Sequence, residues 1–543
     1  MSKIRTAKVI NIIPIFKQFL KNKKSHFKSR LLLTFVLGLH WPIWPMKIKS
    51  LLAKPFAEWV YKKQLKEMKT AVKDQQNILN QLVRIGKTTL FGKEHHFEQI
   101  LDYTSFKQQV PIRDYEGLKP YIEEVKKGKA NILWRGKPLY FAKTSGTTSG
   151  VKYIPISKDS IGNHINGARN AILTYMAITG KTDFANGKMI FLSGSPELET
   201  VGGVPTGRLS GIVNHHVPAY LRGNQLPSYA TNCIEEWEDK LDKIVEETLG
   251  KEMSLIGGIP PWMQMYFDRI VEKTGKSVSE VFPHLQVLVQ GGVNFEPYKS
   301  KLFETIGKKI DTIELFPASE GFFAFQDTRD QAGLLLNTNS GIFYEFIPLS
   351  EVQHENPTRL SLGEVQLGEN YALIINSNAG LWGYSIGDTV KFVSLDPYRI
   401  VVSGRIKHYI SAFGEHVIGE EVEQALLKVT REMNASVVEF TVAPYIQTNA
   451  GKSYHEWFIE FEKHPQDMQL FSEKLNQYMC EQNVYYNDLI VGNILEPLHV
   501  SVMQKNAFID YMRKQGKLGG QNKVPRLSND RSLADGLSQY ISH

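Results

Sequence analysis

The sequence predicts an α/β protein in which a large N-terminal domain is followed by a small α+β domain. Short β-forming apolar runs alternate with stretches of helical periodicity, which is typical of mixed sheets flanked by helices. The chain becomes richer in strands after Gly363 and begins again after Gly404 as helix, strand, strand and helix. We therefore expect a large domain with a β-rich part at 46–403 and a small, mobile domain at 404–543.

The spacing of apolar residues predicts the individual elements. A long amphipathic helix is expected from Leu51 to Ile85, where apolar residues recur three and four positions apart. In the large domain the pattern predicts a helix at 234–249 and strands at 138–142, 153–156, 189–192, 253–256, 285–289, 364–367, 371–375 and 389–393. In the small domain it predicts helices at 420–428 and 468–478 and strands at 436–442 and 456–461.

The composition excludes several classes of protein. With 42% apolar and 22% charged residues, the chain of 543 residues is typical of a globular protein, unlike a disordered or polytopic membrane protein. The net charge is +8, yet residues 1–50 hold eleven Lys or Arg and no Asp or Glu, which leaves 53 basic and 56 acidic side chains elsewhere. A nearly neutral body argues against nucleic acid as a partner. Two cysteines, Cys233 and Cys480, are too few for a disulfide framework or a cysteine zinc site, and indicate a reducing, cytoplasmic location.

The basic N-terminal segment, residues 1–45, allows three interpretations. Its apolar stretch from Leu31 to Pro45 is too short and too interrupted by proline to span a bilayer. It could be a membrane-surface anchor with Trp41 and Trp44 at the interface, a helix packed into the body, or a leader foreign to the fold if translation begins at Met46. The last two are favoured over membrane contact.

A loop of small and hydroxylated residues is the most informative stretch of the chain. Residues 144–152 read Thr-Ser-Gly-Thr-Thr-Ser-Gly-Val-Lys and lie between two predicted strands. Glycines allow backbone N–H groups to turn toward an anion, hydroxyls add donors, and Lys152 adds a positive charge. The spacing does not fit a Walker A loop, because three residues separate Gly146 from Gly150 and Tyr153 follows the lysine. We interpret the loop as a phosphate-binding element.

This loop resembles the phosphate-binding signature of acyl-adenylate-forming enzymes. More closely, it is similar to that of the Gretchen Hagen auxin-responsive family of acyl acid amido synthetases, which reads Ser-Ser-Gly-Thr-Ser-x-Gly followed by Lys. Here the first position is Thr144, and one fewer residue separates Gly150 from Lys152. The resemblance implies a nucleotide-binding role for the following residues: Thr144, Ser145, Gly146, Thr147, Thr148, Gly150 and Lys152.

Two further motifs follow in the order that the family has. Phe316-Pro317-Ala318-Ser319-Glu320 resembles an aromatic-x-x-Ser/Thr-Glu element, which implies that Phe316 covers adenine beside Ser319 and that Glu320 holds a Mg²⁺ ion bridging the phosphates. Tyr384-Ser385-Ile386-Gly387-Asp388 resembles a Tyr-x-x-Gly-Asp element, which implies that Tyr384 and Gly387 border the nucleotide and that Asp388 accepts hydrogen bonds from the ribose. Gly291-Gly292, after an apolar run, fit a strand end that opens into the same cleft.

The small domain carries weaker similarities. Gly404-Arg405 resembles a hinge element whose Arg also reaches the ribose, although Lys407 and His408 stand where an Asp is usual. Lys523-Val524-Pro525-Arg526 resembles the family's Lys-x-Pro-Arg tail. The match makes Lys523 the candidate catalytic lysine, which neutralises charge that develops on the α-phosphate. The resemblance covers roughly residues 46–530, and without a plant context it indicates a bacterial-type member of the family.

The resemblance implies a ligase that uses ATP and Mg²⁺. The enzyme would activate a carboxylic acid as an acyl-adenylate, release pyrophosphate, and transfer the acyl group to an amine, plausibly that of an amino acid. No protein nucleophile is needed, which agrees with the lack of a catalytic-triad signature in the sequence. Two alternatives stay open: a thioester synthetase that uses coenzyme A, and a nucleotide-binding or membrane-associated protein without turnover.

Deletion of residues 1–45 tests the status of the basic segment. If the segment is an appendage, the shortened chain should fold and keep its activity, because the motifs all lie beyond Met46. Circular dichroism and an activity assay on purified protein check both points. Loss of folding would show instead that the segment is part of the body.

Overall fold

The computed structural model describes a mixed α/β protein and covers most of the chain. The described residues are 48–145, 151–217, 222–292, 295–352, 354–406, 409–410, 415, 417–446, 453–491, 495–518, 523–528 and 531–542. The apolar stretch Leu31–Pro45 and the rest of the basic segment lie outside them.

The helices are labelled here in chain order. In the large domain they are α1 Ile48–Gly86, α2 Leu90–Glu94, α3 Tyr103–Gln109, α4 Tyr115–Lys126, α5 Ile161–Thr179, α6 Leu209–His215, α7 Tyr229–Asn232, α8 Trp237–Thr248, α9 Pro260–Thr274, α10 Val278–Val281 and α11 Glu296–Ile306. In the small domain they are α12 Gly419–Glu432, α13 Met468–Gln482, α14 Val484–Val491, α15 Ala507–Lys514 and α16 Ser532–Leu537. None of the described helices is both long and apolar enough to cross a membrane.

The strands follow the same convention. Those of the large domain are β1 Tyr140–Ser145, β2 Val151–Ile156, β3 Lys188–Phe191, β4 Glu199–Val201, β5 Val204–Gly207, β6 Gln225–Leu226, β7 Met253–Gly258, β8 Val287–Gly291, β9 Asp311–Ala318, β10 Gly321–Phe325, β11 Leu334–Leu336, β12 Ile342–Pro348, β13 Asn370–Ser377, β14 Tyr384–Leu395 and β15 Tyr398–Arg405. Those that follow are β16 Tyr409–Ile410, β17 Val417–Ile418, β18 Ser436–Tyr445, β19 Tyr454–Lys463 and β20 His499–Val502.

An eleven-stranded sheet organises the large domain, in the order β12-β13-β14-β15-β11-β10-β9-β8-β7-β3-β6. Pairing is parallel along the half of the sheet that runs β6-β3-β7-β8-β9. It is antiparallel along the other half, which runs β9-β10-β11-β15-β14-β13-β12. Leu288 faces one apolar cluster while Val287 and Val289 face another, so β8 is covered on both faces. Burial on both faces explains why this strand reads as an unbroken apolar run.

A separate four-stranded sheet, β2-β1-β5-β4, carries the hydroxyl-rich loop between its first two strands. The small domain is built on the sheet β18-β19-β20, covered by α12 and α13. The short segment after Lys523 runs beside β18, where Leu527 pairs in parallel with Val442. The segment 523–528 is therefore attached to the edge of the small domain's sheet by one bridge.

Most predicted elements are confirmed, and one strand is wrong. The helix expected from Leu51 is α1, and the apolar runs of the large domain become β1, β2, β3, β7, β8, β13 and β14. Residues 364–367, expected as a strand, instead follow a 3₁₀ turn at Leu362–Glu364. Ser361 and Glu364 form a reciprocal capping box there, so local side-chain bonds to the backbone favour a helical turn.

A buried ion pair joins helix α3 to the edge of the large sheet. Arg359 donates two parallel hydrogen bonds to Glu345, at 2.9 and 2.8 Å, and the two side chains are 8% and 0% exposed. Tyr103 and Asn376 donate further hydrogen bonds to the same carboxylate. Arg359 also donates to the carbonyl of Val110, at the end of α3. The fully bonded carboxylate thus ties three separate segments together.

Replacing Arg359 by Met tests this tie. The variant leaves Glu345 buried without its cation, so we expect the free energy of unfolding to fall by about 3–5 kcal/mol. Urea denaturation measures the change. The control is Lys243→Met, which removes an ion pair to Glu246 whose side chains are 57% and 50% exposed, and it should leave the free energy of unfolding nearly unchanged. Equal effects of the two variants would contradict the interpretation.

Candidate functional site

The carboxyl ends of the parallel strands meet at one edge of the large sheet. Strands β3, β7, β8 and β9 are adjacent and parallel, so the segments that leave them converge there. Ligands of open α/β sheets bind outside such carboxyl ends. Strand β9 turns directly into β10 because Ala318 pairs with Gly321, which leaves Ser319 and Glu320 as a two-residue turn at this edge. Ser319 is buried and Glu320 is partly exposed.

The hydroxyl-rich loop is carried by the hairpin of β1 and β2. Thr144 pairs with Lys152, so both lie on the hairpin strands. Ser145, the last residue of β1, pairs with Val151, and the remaining four predicted residues of the loop, Gly146, Thr147, Thr148 and Gly150, lie outside the described residues. The Lys152 Nζ lies 5.6 Å from the centre of the Tyr115 ring. The Tyr115 hydroxyl in turn accepts the backbone N–H of Tyr153 at 2.9 Å, which ties helix α4 to β2.

Strands β14 and β15 bring a carboxylate and a guanidinium together. Asp388 faces Arg405 in the register of the pair, and the Arg405 Nε donates a hydrogen bond to the Asp388 Oδ1 at 2.7 Å. Asp388 is nearly buried, whereas 53% of the Arg405 side chain is exposed. Attraction to Asp388 raises the pKa of Arg405 above its usual range. Gly387 holds φ at +86°, a conformation that favours glycine at the start of this strand pair.

A tyrosine links this pair to the turn between β9 and β10. The Tyr384 hydroxyl faces the Glu320 Oε1 at 3.5 Å, and the Tyr384 side chain is 1% exposed. Removal of water by the surrounding protein raises the pKa of Glu320, and so does the negative charge of Asp388. The positive charges of Lys152 and Arg405 lower it. Four residues therefore interact with Glu320, namely Lys152, Tyr384, Asp388 and Arg405. They belong to three of the motifs predicted from the sequence.

Lys523 reaches the same place from the small domain. Its Nζ donates a hydrogen bond to the carbonyl of Gly292, just beyond the carboxyl end of β8. Protein atoms crowd the Lys523 amine and lower its pKa to about 8, although the side chain remains open to solvent. The positive charge of Arg405 contributes to this lowering, and the negative charge of Asp388 opposes it.

Gly292 allows this approach. Its φ is +88°, and a Cβ added there would lie 3.0 Å from the Lys523 Nζ and 3.3 Å from the Ile259 Cγ2. Ile259 follows β7, so the lysine amine stands between the ends of two neighbouring parallel strands. A larger residue at 292 would crowd the amine and strain the backbone.

Phe316 occupies a more enclosed position than its predicted role suggests. The ring is 7% exposed and packs edge-on against Phe323, at 5.2 Å between ring centres. It lies on β9, two residues before the Ala318 that begins the turn. Contact of Phe316 with adenine therefore stays a prediction, as do the individual roles of the other site residues.

Sequence reasoning missed several residues at this edge. Tyr115 carries no motif and lies 38 residues from its partner Tyr153, so only the packing of α4 on the β1–β2 hairpin reveals it. Arg113 pairs through its backbone with Gly383 and Ser385, beside Tyr384. A tyrosine and an arginine two positions apart before a helix are common in unrelated chains, so no sequence signal could have identified them.

The profiles of the GH3 family match the N-terminal domain at residues 60–228, the central domain at 335–405 and the C-terminal domain at 420–532. A jasmonoyl–L-amino acid synthetase of Nicotiana attenuata is 22% identical over 546 residues, covering 86% of this chain and 92% of the relative.

Two solved structures share the fold. The GH3.15 acyl acid amido synthetase superposes with a TM-score of 0.72 at 14% identity, covering 89% of this chain and 96% of that one. A 2-hydroxyisobutyryl-CoA ligase with its acyl-AMP bound superposes with a TM-score of 0.56 at 12% identity, covering 87% of this chain and 92% of that one. The three matched domains, in order along most of the chain, place this protein in the GH3 family of acyl acid amido synthetases.

Proposed function

We propose that this protein is a ligase that activates a carboxylic acid with ATP and then transfers the acyl group to an amine. The observation that carries the proposal is the meeting of Glu320, Asp388, Arg405 and Lys523 at the carboxyl edge of the sheet. These residues come from three separate segments of the chain, and each belongs to a motif that resembles the adenylate-forming pattern. Family membership supports the amide as the product.

The first step forms the acyl-adenylate. An oxygen of the substrate carboxylate attacks the α-phosphorus of ATP, the bond from that phosphorus to the oxygen bridging to the β-phosphate breaks, and pyrophosphate leaves. Negative charge accumulates on the α-phosphate as the bond forms. The Lys523 ammonium supplies a positive charge at this cleft, which stabilises the transition state more than the ground state. Lys152 adds a second positive charge from the hydroxyl-rich hairpin.

Asp388 and Arg405 orient the nucleotide. The Asp388 carboxylate has a second oxygen beyond the one that accepts the Arg405 Nε–H, and a vicinal diol such as ribose can donate to it. Because Arg405 fixes the carboxylate plane, the ribose is held in one orientation relative to Lys523. Holding the reactants in a productive geometry lowers the barrier by removing their rotational freedom.

The residues present fit a Mg²⁺ ion only as a partner of the nucleotide. Among the described residues no cluster of three or more His, Cys, Asp or Glu could hold a metal alone. Glu320, whose pKa is raised, is the carboxylate that a cation would stabilise in its charged form. Mg²⁺ is commonly held by one or two carboxylates together with phosphate oxygens. Bound there, it would neutralise phosphate charge; Glu320 would hold it.

The second step forms the amide. The acceptor amine attacks the acyl carbon, AMP leaves with the former carboxylate oxygen, and the nitrogen loses a proton. The relative from Nicotiana attenuata is named for joining its acid to an L-amino acid, so we propose an amino acid as the acceptor. The fold is shared with a CoA ligase and does not separate the two chemistries, whereas the family profiles favour the amide.

We place the enzyme in the cytoplasm, since both cysteines are unpaired.

Exchange of pyrophosphate into ATP tests the proposal. With Mg²⁺ and a panel of aromatic, indolic and fatty acids, we expect exchange that depends on a particular class of acid. Glu320→Gln and Asp388→Asn should each reduce exchange at least about 100-fold, because each removes a charge held in the cleft. The matched control is Asp159→Asn, another aspartate paired with a half-exposed arginine, Arg135, and it should retain exchange.

Outcomes of this assay are decisive for the site. Unchanged exchange in both the Glu320 and the Asp388 variant would refute the assignment of the cleft. No exchange with any acid, while ATP still binds, would favour a nucleotide-binding protein without turnover. Failure to bind ATP would refute the proposed function as a whole.

The pH dependence of adenylation tests the role of Lys523. Its pKa is lowered to about 8, so in the free enzyme the amine is charged below that pH and neutral above it. The ratio kcat/KM for ATP should therefore fall as the pH rises through about 8. In Lys523→Arg the fall should be absent, since a guanidinium stays charged. An identical basic limb in the variant would contradict the role.

A further inference from the structure

The tail that carries Lys523 is anchored inside the small domain by Arg526. The backbone carbonyl of Arg526 accepts the N–H of Val442 at 2.9 Å, and the N–H of Ser528 donates to the carbonyl of Val442 at 3.0 Å. The segment 525–528 thus lies beside β18 and is joined to it by a single bridge between Leu527 and Val442. A side chain three positions after Lys523 is held by the sheet and moves with the small domain.

The guanidinium of Arg526 stands in an acidic and aromatic pocket of the same domain. Its Nη1 donates to the Glu439 carboxylate, and its Nε lies 3.3 Å from the Glu423 Oε1. The guanidinium carbon lies 4.6 Å from the centre of the Phe440 ring. Glu439 and Glu423 raise the pKa of Arg526 above its usual range, against the effect of burial. Tyr298 of the large domain raises the pKa of Arg526 as well.

One hydroxyl of the large domain completes this pocket. Tyr298, on the first turns of α11, accepts a hydrogen bond from the Arg526 Nη2 at 2.7 Å and donates one to the Glu439 Oε2 at 3.0 Å. The Tyr298 side chain is 8% exposed, and burial raises its pKa. The hydroxyl is therefore satisfied in both directions by the small domain, across the junction between the two domains.

The two ends of the tail contact one short stretch of the large domain. Lys523 bonds to Gly292 at the end of β8, and Arg526 bonds to Tyr298, six residues further along. We propose that the Tyr298–Arg526 contact is the latch that places Lys523 in the cleft, so that both are positioning residues for adenylation. The inference rests on the proposed function, because it assigns Lys523 to the α-phosphate.

The latch differs from the other contacts between the domains in its burial. Among the described residues, Lys301 pairs with Glu462, Arg513 with Glu238 and Lys391 with Glu420 across the domains, but these six side chains are 22% to 52% exposed. Exposed pairs contribute little because water competes for both charges. The Tyr298 hydroxyl is enclosed, so its bonds to Arg526 and Glu439 depend on one docking geometry. Loss of that hydroxyl should loosen the docking without unfolding either domain.

Tyr298→Phe tests the latch through its effect on the two half-reactions. We expect acid-dependent ATP–pyrophosphate exchange to fall about tenfold, because Lys523 spends less time in the cleft. Formation of the amide from chemically synthesised acyl-adenylate and an amino acid should change less than about twofold, because this step does not need the Lys523 ammonium beside the α-phosphate. A purely structural role for Tyr298 would lower both rates together.

Two matched variants serve as controls. Tyr266→Phe removes an equally buried hydroxyl from the same apolar cluster of the large domain, bonded at 2.6 Å to Thr248 and not to the small domain. Lys301→Gln removes a different contact between the domains, from the same helix as Tyr298. Both should keep exchange within about twofold of the unaltered chain. A loss in Lys301→Gln equal to that in Tyr298→Phe would show that docking in general, and not the latch, matters.

A distance measurement tests the latch without any substrate. Spin labels at Leu101→Cys and Val491→Cys, which are 87% and 76% exposed in the two domains, report the docking after Cys233 and Cys480 are replaced by serine. The unaltered latch should give one narrow distance distribution, and Tyr298→Phe a broader one. A failure of exchange in every variant would refute the proposed function while leaving this readout in place.

The distance distribution and the rates of the two half-reactions together decide whether the latch exists. A broader distance distribution in Tyr298→Phe, together with a selective loss of exchange, supports the latch. If Tyr298→Phe leaves the distance distribution unchanged, the latch is refuted, whatever the rates of the two half-reactions. A broadened distribution with undiminished exchange, or with equal loss in both half-reactions, also overturns it, because Lys523 would then not depend on the contact for adenylation.

Discussion

The site depends on the balance of charge in one cleft. Glu320 and Asp388 are two carboxylates brought close enough that Asp388 raises the pKa of Glu320. Lys152 and Arg405 oppose that repulsion, and Lys523 adds a third positive charge. Three cations against two carboxylates leave a surplus of positive charge, which suits a polyanionic nucleotide. If one of these five charged groups is removed, the others lose a partner that compensates for their partial burial.

The large sheet explains how distant segments supply these charges. Parallel pairing from β3 to β9 aligns the carboxyl ends of the strands at one edge, and the β9–β10 turn projects Glu320 there. The antiparallel half contributes the Asp388–Arg405 pair from β14 and β15. Strand β15 crosses the predicted boundary at 404 and carries Arg405 in the large sheet, so among the described charged groups of the cleft Lys523 alone lies outside the large domain and depends on docking. Chemistry and domain arrangement are therefore linked through a single lysine.

Sequence alone predicts the parts of this site that local chemistry determines. The hydroxyl-rich hairpin, the turn with Glu320 and the strand with Asp388 can be predicted because each is a short contiguous motif that resembles a motif of the family, and the three occur in the family's order. Tyr115 and Tyr298 could not be read, since each acts through a partner far along the chain. The false strand at 364–367 has a different origin, because there a local interaction, the Ser361–Glu364 cap, favours a turn although the apolar residues alternate as in a strand.

A crystal structure with Mg²⁺ and a non-hydrolysable ATP analogue is the most direct test of the central claim. Our account places the ribose against Asp388, the metal on Glu320, and the Lys523 Nζ within hydrogen-bonding distance of the α-phosphate. Release of the Lys523 amine from the Gly292 carbonyl toward that phosphate is expected. A nucleotide bound elsewhere, or bound here with Lys523 still on Gly292 and remote from the phosphates, would contradict the account.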